Sequence, residues 1–301
     1  MLQTFDDRNR DILLNINGEL VHRDKAGVSP FDSSVQGGDA VWEGLRLYQG
    51  RIFKLTEHLD RLHRSAVRIG FDSIPSMTQL RSELARTLEA NSMTDGVHVR
   101  LTITRGVKIT SGMDPRLNQS GPTLIIVPEY KSPVYSKKGL SLATSSIRRH
   151  SPDCLDAKIH HNNLLQSIMA KIEANAVGAD DALMLDVRGF VAETNATHLF
   201  LVKDGGLHTS TTDSCPEGIT RQVVLDICAE QGIAASERDI RLEEFHQADE
   251  VFCTGTMGEL AGVTSIDGTT IGDGSIGPMT MRLSELFQEQ VIADSEPVTA
   301  H

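Results

Sequence analysis

Residues 217–228, EGITRQVVLDIC, form the most informative stretch of this 301-residue chain. Apolar residues recur in it at helical spacing, which predicts an amphipathic helix over 220–231 that starts directly after Gly218. The first N–H groups of a helix have no partner within the helix, and the helix dipole favours negative charge there. The segment is therefore compatible with an anion site at Ile219 and Thr220, although by itself it is better explained by an ordinary helix start.

A second loop of similar composition follows an apolar strand at residues 253–258, CTGTMG. Its threonines and glycines can form a nest of N–H donors at the strand end, and a simple turn explains the loop equally well. Two such loops in the same half of the chain favour a phosphorylated ligand. Neither loop matches the dinucleotide-binding fingerprint or the P-loop.

Two further residues are candidates for chemistry. Lys158, in LDAKIHHNN, lies between a loop and an apolar helix, and a lysine that acts as a nucleophile or base needs partial burial. By composition alone, a solvated lysine is the simpler explanation. Glu193, in GFVAETNATHLF, lies near the break between two short strands. A carboxylate there is either a surface turn residue or a buried partner for a protonated ring nitrogen.

The histidines do not predict a metal site. His160 and His161 are adjacent, and adjacent side chains diverge on most backbones. His58 and His63 are five residues apart on a predicted helix, which is poor zinc geometry. We therefore expect no metal, and we expect these histidines to be exposed or satisfied by ordinary hydrogen bonds.

The remaining pattern predicts an α+β protein of two domains. Asn17-Gly18 between two apolar runs is a strong hairpin signal. The polar, proline-containing connector at 129–139 places a domain boundary near residue 134, which gives domains 1–134 and 135–301. Strands are predicted at 12–22, 40–55, 97–104, 123–128, 140–145, 181–187, 190–202 and 250–254. Helices are predicted from the N-cap Thr56 to Gly70 and at 77–91, 162–177, 220–231 and 278–293.

Composition excludes several classes of function. The formal net charge is −12, and the densest basic clusters are pairs such as Lys137-Lys138, so a nucleic-acid partner is not expected. No apolar run reaches the roughly 18 residues of a membrane span, and the polar N-terminus does not resemble a signal peptide. The four cysteines have no C-x-x-C spacing, which favours reduced thiols and a cytoplasmic location.

Taken in order, Arg61, Lys158, Glu193, EGITR and TGTMGEL resemble the class IV (fold type IV) pyridoxal-phosphate aminotransferases. The closest resemblance is to the branched-chain amino acid aminotransferases, and it covers almost the whole chain. It implies a smaller N-terminal α/β domain and a larger C-terminal β-barrel-like domain with helices. It also implies a homodimer or a higher oligomer of dimers.

The resemblance implies a role for each candidate residue. Lys158 would form a Schiff base with pyridoxal 5′-phosphate and then act as the base that moves a proton. Glu193 would pair with the pyridine nitrogen. The residues implied to bind the cofactor are Arg61, Lys158, Glu193, Ile219, Thr220, Gly255 and Thr256. Those implied to contact substrate are Trp42, Arg100, Arg105, Thr256 and Met257.

The chain also departs from the branched-chain pattern. Gly37 and Asn163 stand where tyrosines usually surround the side-chain pocket, and Asn195-Ala196-Thr197-His198 replaces the usual Gly-x-Glu/Ser-Asn. Thr104-Arg105-Gly106 resembles the D-amino-acid transaminases, in which the arginine of T-R-G binds the substrate carboxylate. Trp42, where phenylalanine or tyrosine is common, either lines the pocket or packs in the core.

These features support three hypotheses. The first is an aminotransferase that moves the amino group of L-leucine, L-isoleucine or L-valine to 2-oxoglutarate by ping-pong kinetics. The second is a relative that acts on D-amino acids or (R)-amines, or as an aminodeoxychorismate lyase. The third is a non-catalytic binder of the cofactor or of a phosphorylated ligand. Lys158 argues against the third, because binding alone does not need a Schiff-base lysine.

Overall fold

The computed structural model describes residues 3–133, 135 and 138–298. Its contacts divide the chain into two compact units. The N-terminal unit comprises the described residues of Leu2–Ser132, Ile159–Asn163 and Asp294–His301. The C-terminal unit comprises those of Pro133–Lys158 and Leu164–Ala293. The boundary predicted at residue 134 lies outside the described residues, so the domain limits remain a prediction.

Strands and helices alternate in both units, which confirms the predicted α+β class. The strands are β1 (Leu13–Ile16), β2 (Glu19–His22), β3 (Ala40–Tyr48), β4 (Arg51–Phe53), β5 (Val97–Thr104), β6 (Thr123–Tyr130), β7 (Leu140–Thr144), β8 (Asp181–Leu185), β9 (Val191–Thr194), β10 (His198–Lys203), β11 (Gly206–Thr209), β12 (Ala235–Glu237), β13 (Glu250–Gly255), β14 (Glu259–Ile266), β15 (Thr269–Thr270) and β16 (Ser295–Pro297). The helices are α1 (Ser33–Gly37), α2 (Leu55–Arg68), α3 (Met77–Ala90), α4 (Leu165–Ala176), α5 (Ile219–Glu230), α6 (Leu242–His246) and α7 (Pro278–Asp294). Within the described residues, no helix is both long enough and apolar enough to cross a membrane.

The N-terminal unit is built on a seven-stranded sheet in the order β16-β4-β3-β5-β6-β1-β2. The predicted hairpin is confirmed, because Asn17 and Gly18 both have positive φ and join β1 to β2 as a tight turn. The central pair β3 and β5 runs antiparallel, with Gly44 opposite Arg100 and Trp42 opposite Thr102. This pairing puts two candidate substrate residues on neighbouring strands.

Helix α2 begins earlier than predicted. Lys54, with φ 51°, precedes the first helical residue, Leu55, and the predicted N-cap Thr56 lies inside the helix. The backbone N–H and the hydroxyl of Thr56 instead donate to the Glu296 carboxylate, each at 2.7 Å. A carboxylate far along the chain therefore satisfies the helix start, which local sequence could not reveal.

The C-terminal unit is built on a nine-stranded mixed sheet in the order β12-β11-β10-β13-β14-β7-β8-β9, with β15 paired to β14. The predicted strand 190–202 is divided into β9 and β10 by a tight turn, in which the Thr194 N–H donates to the Thr197 carbonyl at 2.7 Å. The break places Glu193 and His198 on either side of this turn. Strands β11, β12, β14, β15 and β16 were not predicted from the sequence.

Helix α4 begins at Leu165, three residues later than the predicted start at 162. Its buried residues are Ala170 and Ala174. Its large apolar side chains point into solvent in this single chain: the exposed fractions are Leu165 68%, Ile168 54%, Met169 44% and Ile172 61%. An apolar stripe of this size on one helix is typical of a surface that a partner covers.

Candidate active site

Lys158 is the last residue before a five-residue segment, Ile159–Asn163, that belongs to the N-terminal unit. Its Nζ donates to the Thr212 carbonyl at 2.6 Å and also contacts the Thr212 hydroxyl. The nearest carboxylate oxygen in an ion pair is Oε1 of Glu217, at 3.9 Å. The side chain is 28% exposed, so the amine is partly buried and held by neutral oxygens beside the EGITR segment.

The start of α5 has the form of an anion site. Gly218 is the N-cap, with φ −70° and ψ 121°, and it has no side chain to cap the helix. The N–H groups of Ile219 and Thr220 lie in the first turn, where helical N–H groups lack intrahelical acceptors. Arg221 anchors the first turn of α5, because its Nη2 donates to the Ser210 carbonyl at 2.8 Å and pairs with Glu237.

The second predicted loop is the tip of the β13–β14 hairpin. Gly255 closes β13, and Thr256 and Met257 are half-buried in the turn that follows. A Cβ on Gly255 would come within 2.9 Å of Thr197 Cγ2, and one on Gly258 would overlap the Tyr135 ring. The glycines are therefore required by close packing, and the turn has the backbone composition expected of a nest.

Glu193 lies at the centre of a buried group that we call the Glu193 cluster: Glu193, Arg149, His198 and Cys215. Arg149 Nη2 pairs with Glu193 Oε1, and His198 Nδ1 lies 3.8 Å from Oε2. Cys215 Sγ lies 3.8 Å from the same Nδ1. Burial raises the pKa of Glu193 to about 7, against the opposing charge of Arg149.

Sequence reasoning found Glu193 but missed its three partners. Glu193, His198 and Cys215 each place one possible ligand atom within 4.8 Å of the other two. Distant segments supply these residues, so cysteine spacing could not reveal the cluster. The one available signal was His198, which stands at the end of the NATH departure from the family pattern.

Arg61 belongs to a second buried group, in the N-terminal unit, that we call the Glu43 cluster: Glu43, His58, Arg61 and His160. Arg61 donates two hydrogen bonds of 2.7 Å to the Glu43 carboxylate, and His58 Nδ1 lies 2.7 Å from Oε2. Burial alone would raise the pKa of Glu43, but the charges of Arg61 and His160 hold it well below its usual range. His58 is thus a buried histidine satisfied by a carboxylate.

The Trp42 ring contacts both Arg100 and His160. The Arg100 guanidinium lies 3.9 Å from the Trp42 ring centroid, and the His160 ring stacks on it at 4.5 Å. Trp42 Nε1 donates to the His161 carbonyl at 3.1 Å, and Arg100 Nη2 donates to Asn162 Oδ1 at 2.6 Å. The segment that follows Lys158 therefore orients both predicted substrate residues.

Arg105 is engaged differently from Arg100. Its guanidinium holds the Asp39 carboxylate through bonds of 2.6 and 3.1 Å and also donates to the Gly70 and Ile69 carbonyls at 2.7 and 2.6 Å. It lies over Phe71 as well, with its guanidinium carbon 4.7 Å from the ring centroid. Four donor contacts within one unit give Arg105 a structural role in this geometry.

Gly37 has open space for a side chain, because a Cβ there would meet no atom within 4 Å, whereas the next residue, Gly38, has none. Asn163 Nδ2 donates to the Gly38 carbonyl at 3.1 Å, and a Cβ on Gly38 would meet Asn163 Oδ1 at 2.6 Å. Asn163 therefore contacts the residue that follows Gly37 in the N-terminal unit.

The C-terminal unit has what a phosphorylated ligand with a cationic ring nitrogen requires. It combines an amine at Lys158, a helix N-terminus that lacks a side-chain cap and a buried carboxylate at Glu193. Among the described residues, two buried hydroxyls, Ser210 Oγ and Thr254 Oγ1, have no hydrogen-bond partner. Buried polar groups of this kind are costly unless a partner satisfies them.

Comparison with known proteins identifies the family. The model for "Amino-transferase class IV" matches residues 40–266. The chain is 49% identical over 294 residues to the branched-chain-amino-acid aminotransferase-like protein 2 of Arabidopsis thaliana, which covers 97% of this chain and 53% of that protein. The chain therefore spans about half the length of this relative.

Two further matches cover both chains almost completely. A D-alanine aminotransferase of Bacillus licheniformis is 34% identical over 93% of this chain and 97% of its own length. The structure of the branched-chain amino acid aminotransferase from Thermobaculum terrenum in PLP-form superposes with a TM-score of 0.86, at 25% identity, over 97% of this chain and 100% of that one. This superposition confirms the predicted fold type IV architecture. The chain belongs to the class IV aminotransferase family.

Proposed function

We propose that this chain is a pyridoxal 5′-phosphate-dependent aminotransferase that transfers the amino group of L-leucine, L-isoleucine or L-valine to 2-oxoglutarate. The observation that carries the proposal is the arrangement in the C-terminal unit. The partly buried Lys158 amine lies beside Glu217, at the segment that starts α5, and the same unit holds the buried Glu193 carboxylate.

The residues present fit the cofactor. Ile219, Thr220, Gly255 and Thr256 supply backbone and hydroxyl donors suited to a phosphate. Arg61, which the sequence resemblance implied as a further phosphate ligand, pairs with Glu43 in the N-terminal unit. Glu193 would hold a proton on the pyridine nitrogen. When bound, the cofactor supplies the electron sink that amino-group transfer needs.

The reaction then depends on what the side chains hold and move. The Lys158 amine, once it is free, takes the proton from the Cα of the amino acid. Thr256 and Met257 offer backbone N–H groups to the substrate carboxylate. Arg100 binds the second carboxylate of 2-oxoglutarate, and Trp42 forms a wall beside it. The two substrates react in turn, which gives ping-pong kinetics.

The contacts of the two arginines support a dicarboxylate acceptor. Arg100 is fixed by one hydrogen bond and one aromatic face, whereas Arg105 directs four donor contacts into its own unit. A D-amino-acid transaminase is the second candidate. It is favoured by the D-alanine aminotransferase match and by Gly37 and Asn163, which stand in place of the pocket tyrosines.

We also propose that the chain forms a homodimer. The support is the stripe of exposed apolar side chains on α4, Leu165, Ile168, Met169 and Ile172. These residues recur at the spacing of one helix face, and a second copy of the chain would bury them. A cytoplasmic location remains a proposal that rests on the sequence.

The test is to trap the cofactor. Borohydride reduction of the yellow holoenzyme, followed by peptide mass mapping, should place the phosphopyridoxyl group on Lys158. Lys158→Ala should lose both the label and turnover, whereas Lys25→Ala, a change at an exposed lysine, should keep both. Half-reaction spectra with L-leucine, L-isoleucine, L-valine, D-alanine and (R)-1-phenylethylamine then rank the donors. A colourless protein that takes up no pyridoxal phosphate would refute the proposal.

A further inference from the structure

The His198 ring lies between Glu193 and Gly218, two residues of the C-terminal unit that belong to separate sequence motifs. Its Nδ1 edge lies 3.8 Å from Glu193 Oε2 and 3.8 Å from Cys215 Sγ. Its opposite edge, formed by Cδ2 and Nε2, occupies the space where a Cβ on Gly218 would stand. The side chain is 11% exposed, so the protein and not solvent sets the position of the ring.

We propose that His198 is a positioning residue that couples the two ends of the cofactor site. This proposal rests on the function proposed above, in which Glu193 holds the ring nitrogen and the α5 N-terminus binds the phosphate. One edge of the imidazole holds the Glu193 carboxylate, and the other edge sets how closely the Gly218 backbone approaches. The distance between the two cofactor-binding ends then depends on the size and the position of one side chain.

The His198 ring restricts which residue can stand at position 218. Its φ of −70° lies in a region that alanine adopts without strain, so backbone conformation does not require glycine there. The requirement comes from the His198 ring, which a Cβ would overlap. Gly218→Ala should therefore push the ring toward Glu193 or push the start of α5 away from it.

Several charged groups lie near the His198 ring. Arg149 pairs with Glu193, while Arg221 on α5 and Lys158 also act electrostatically on Cys215. Burial raises the pKa of the Cys215 thiol, so the group facing His198 there is neutral. Glu193 is thus the neighbour of the imidazole that can become an anion, and once it is ionised, above its pKa of about 7, its charge favours the protonated ring.

The same three groups could suggest a metal site. The Arg149 guanidinium already pairs with Glu193, so a cation occupies one of the three ligand positions. This observation favours the positioning role. Metal binding is kept as an outcome of the test.

The first arm of the test uses the full chain stripped of cofactor, with histidine labelled at Cε1 for NMR. Glu193→Gln should lower the pKa of His198 by on the order of one unit, whereas Glu193→Asp, which keeps the charge, should retain most of the wild-type value. His208, which bonds the Ser236 hydroxyl through Nδ1 at 2.7 Å, should not shift in either variant. An unchanged His198 titration in Glu193→Gln would overturn the proposal.

The second arm measures pyridoxal phosphate affinity by absorbance titration. Gly218→Ala should weaken binding about tenfold, and in the His198→Ala background the same change should cost much less, because the overlap is gone. His198→Asn should shift the pH titration of the bound cofactor's visible band, whereas the matched control His208→Asn should leave it unchanged. If the effects of Gly218→Ala and His198→Ala on the affinity for pyridoxal phosphate simply multiply in the double variant, the proposal fails.

The arms separate this proposal from the proposed function. A wild-type chain that binds no pyridoxal phosphate refutes the function, while the cofactor-free titration still measures the pairing of His198 with Glu193. Normal cofactor binding with additive variants and an unshifted His198 refutes only this proposal. Zn²⁺ binding by the stripped chain that both His198→Asn and Cys215→Ser abolish would assign the cluster to a metal instead. If the Glu193 variants lose their near-UV circular dichroism, the Gly218 coupling decides.

Discussion

Arg100 lies over the face of Trp42, with its guanidinium carbon 3.9 Å from the ring centroid. Asn162 accepts a hydrogen bond from Nη2 at 2.6 Å, so the guanidinium is fixed on two sides. Burial lowers the pKa of Arg100, yet the group stays charged at neutral pH. A cation held in this way is prepared to bind a carboxylate without first losing side-chain entropy.

Removing this cation should affect one substrate only. Arg100→Ala should raise KM for 2-oxoglutarate about tenfold or more, because a charge-assisted contact to its second carboxylate is lost. The half-reaction with L-leucine, which has no second carboxylate, should change by less than about threefold. Stopped-flow spectra measure both halves in one preparation. Equal losses in the two halves would contradict the assignment.

Arg105 should behave as a structural residue. Arg105→Ala removes four donor contacts to Asp39, Ile69 and Gly70 and should lower the free energy of unfolding by about 1–3 kcal/mol. The KM for each substrate should stay within about threefold of wild type. Urea unfolding with parallel kinetics checks this. A stable variant with a large rise in KM for the amino donor would instead support the D-amino-acid candidate.

Glu43 should be essential for stability. Glu43→Gln leaves the buried Arg61 without its anion, and breaking such a pair costs about 3–5 kcal/mol. Equilibrium unfolding in urea measures the loss. Glu89→Gln, at an exposed position on α3, should change stability by less than about 0.5 kcal/mol. Equal stability of the two variants would show that the Glu43 cluster is dispensable.

Glu193 should make the cofactor-free chain less stable as pH rises. Its pKa is raised from 4.5 to about 7 in the folded state, so the folded chain binds more protons than the unfolded chain between these values. Stability therefore falls as pH rises through this window. Glu193→Gln removes the titration, and its stability relative to wild type should improve between pH 5 and pH 8 by on the order of 2–3 kcal/mol.

Thermal and urea unfolding at the two pH values test this sign. Glu230→Gln, at an exposed position near the end of α5, should show no such pH-dependent gain. A gain for Glu193→Gln that is the same at pH 5 and pH 8 would mean that Glu193 is ionised throughout. Its surroundings would then favour the carboxylate more strongly than the Arg149 contact indicates.

A charge on the exposed face of α4 should disrupt the proposed dimer. Ile168→Asp together with Ile172→Asp places two carboxylates in the stripe, and burying them would cost several kcal/mol. Light scattering should then give a mass near 32.9 kDa, against twice that for wild type. Val67→Asp, at a similarly exposed valine on α2, should keep the wild-type mass.

Local signals in the sequence predicted local structure well. Asn17-Gly18 specified its hairpin, and α3 begins at Met77, the predicted start, with Ser76 as its N-cap in a capping box. Predictions failed where a distant residue decides. Thr56 was a reasonable N-cap, but Lys54 adopts positive φ and Glu296 supplies the cap from the far end of the chain.

The candidate site shows the same division. Lys158, Glu193 and Ile219 lie in motifs that sequence order makes visible. Arg149, His198 and Cys215 surround Glu193 only because β9, β10, the loop after β7 and the loop before α5 converge in the fold. Their meeting is a tertiary property that single-sequence periodicity does not encode.

The His198 ring fills the space that a Cβ at position 218 would need. Evolution can therefore not vary them independently. Among homologous sequences, a bulky ring at the position of His198 should occur with glycine at the position of Gly218, and smaller residues at the first should accompany alanine or serine at the second. An alignment in which the two positions vary without correlation would show that the backbone adjusts instead.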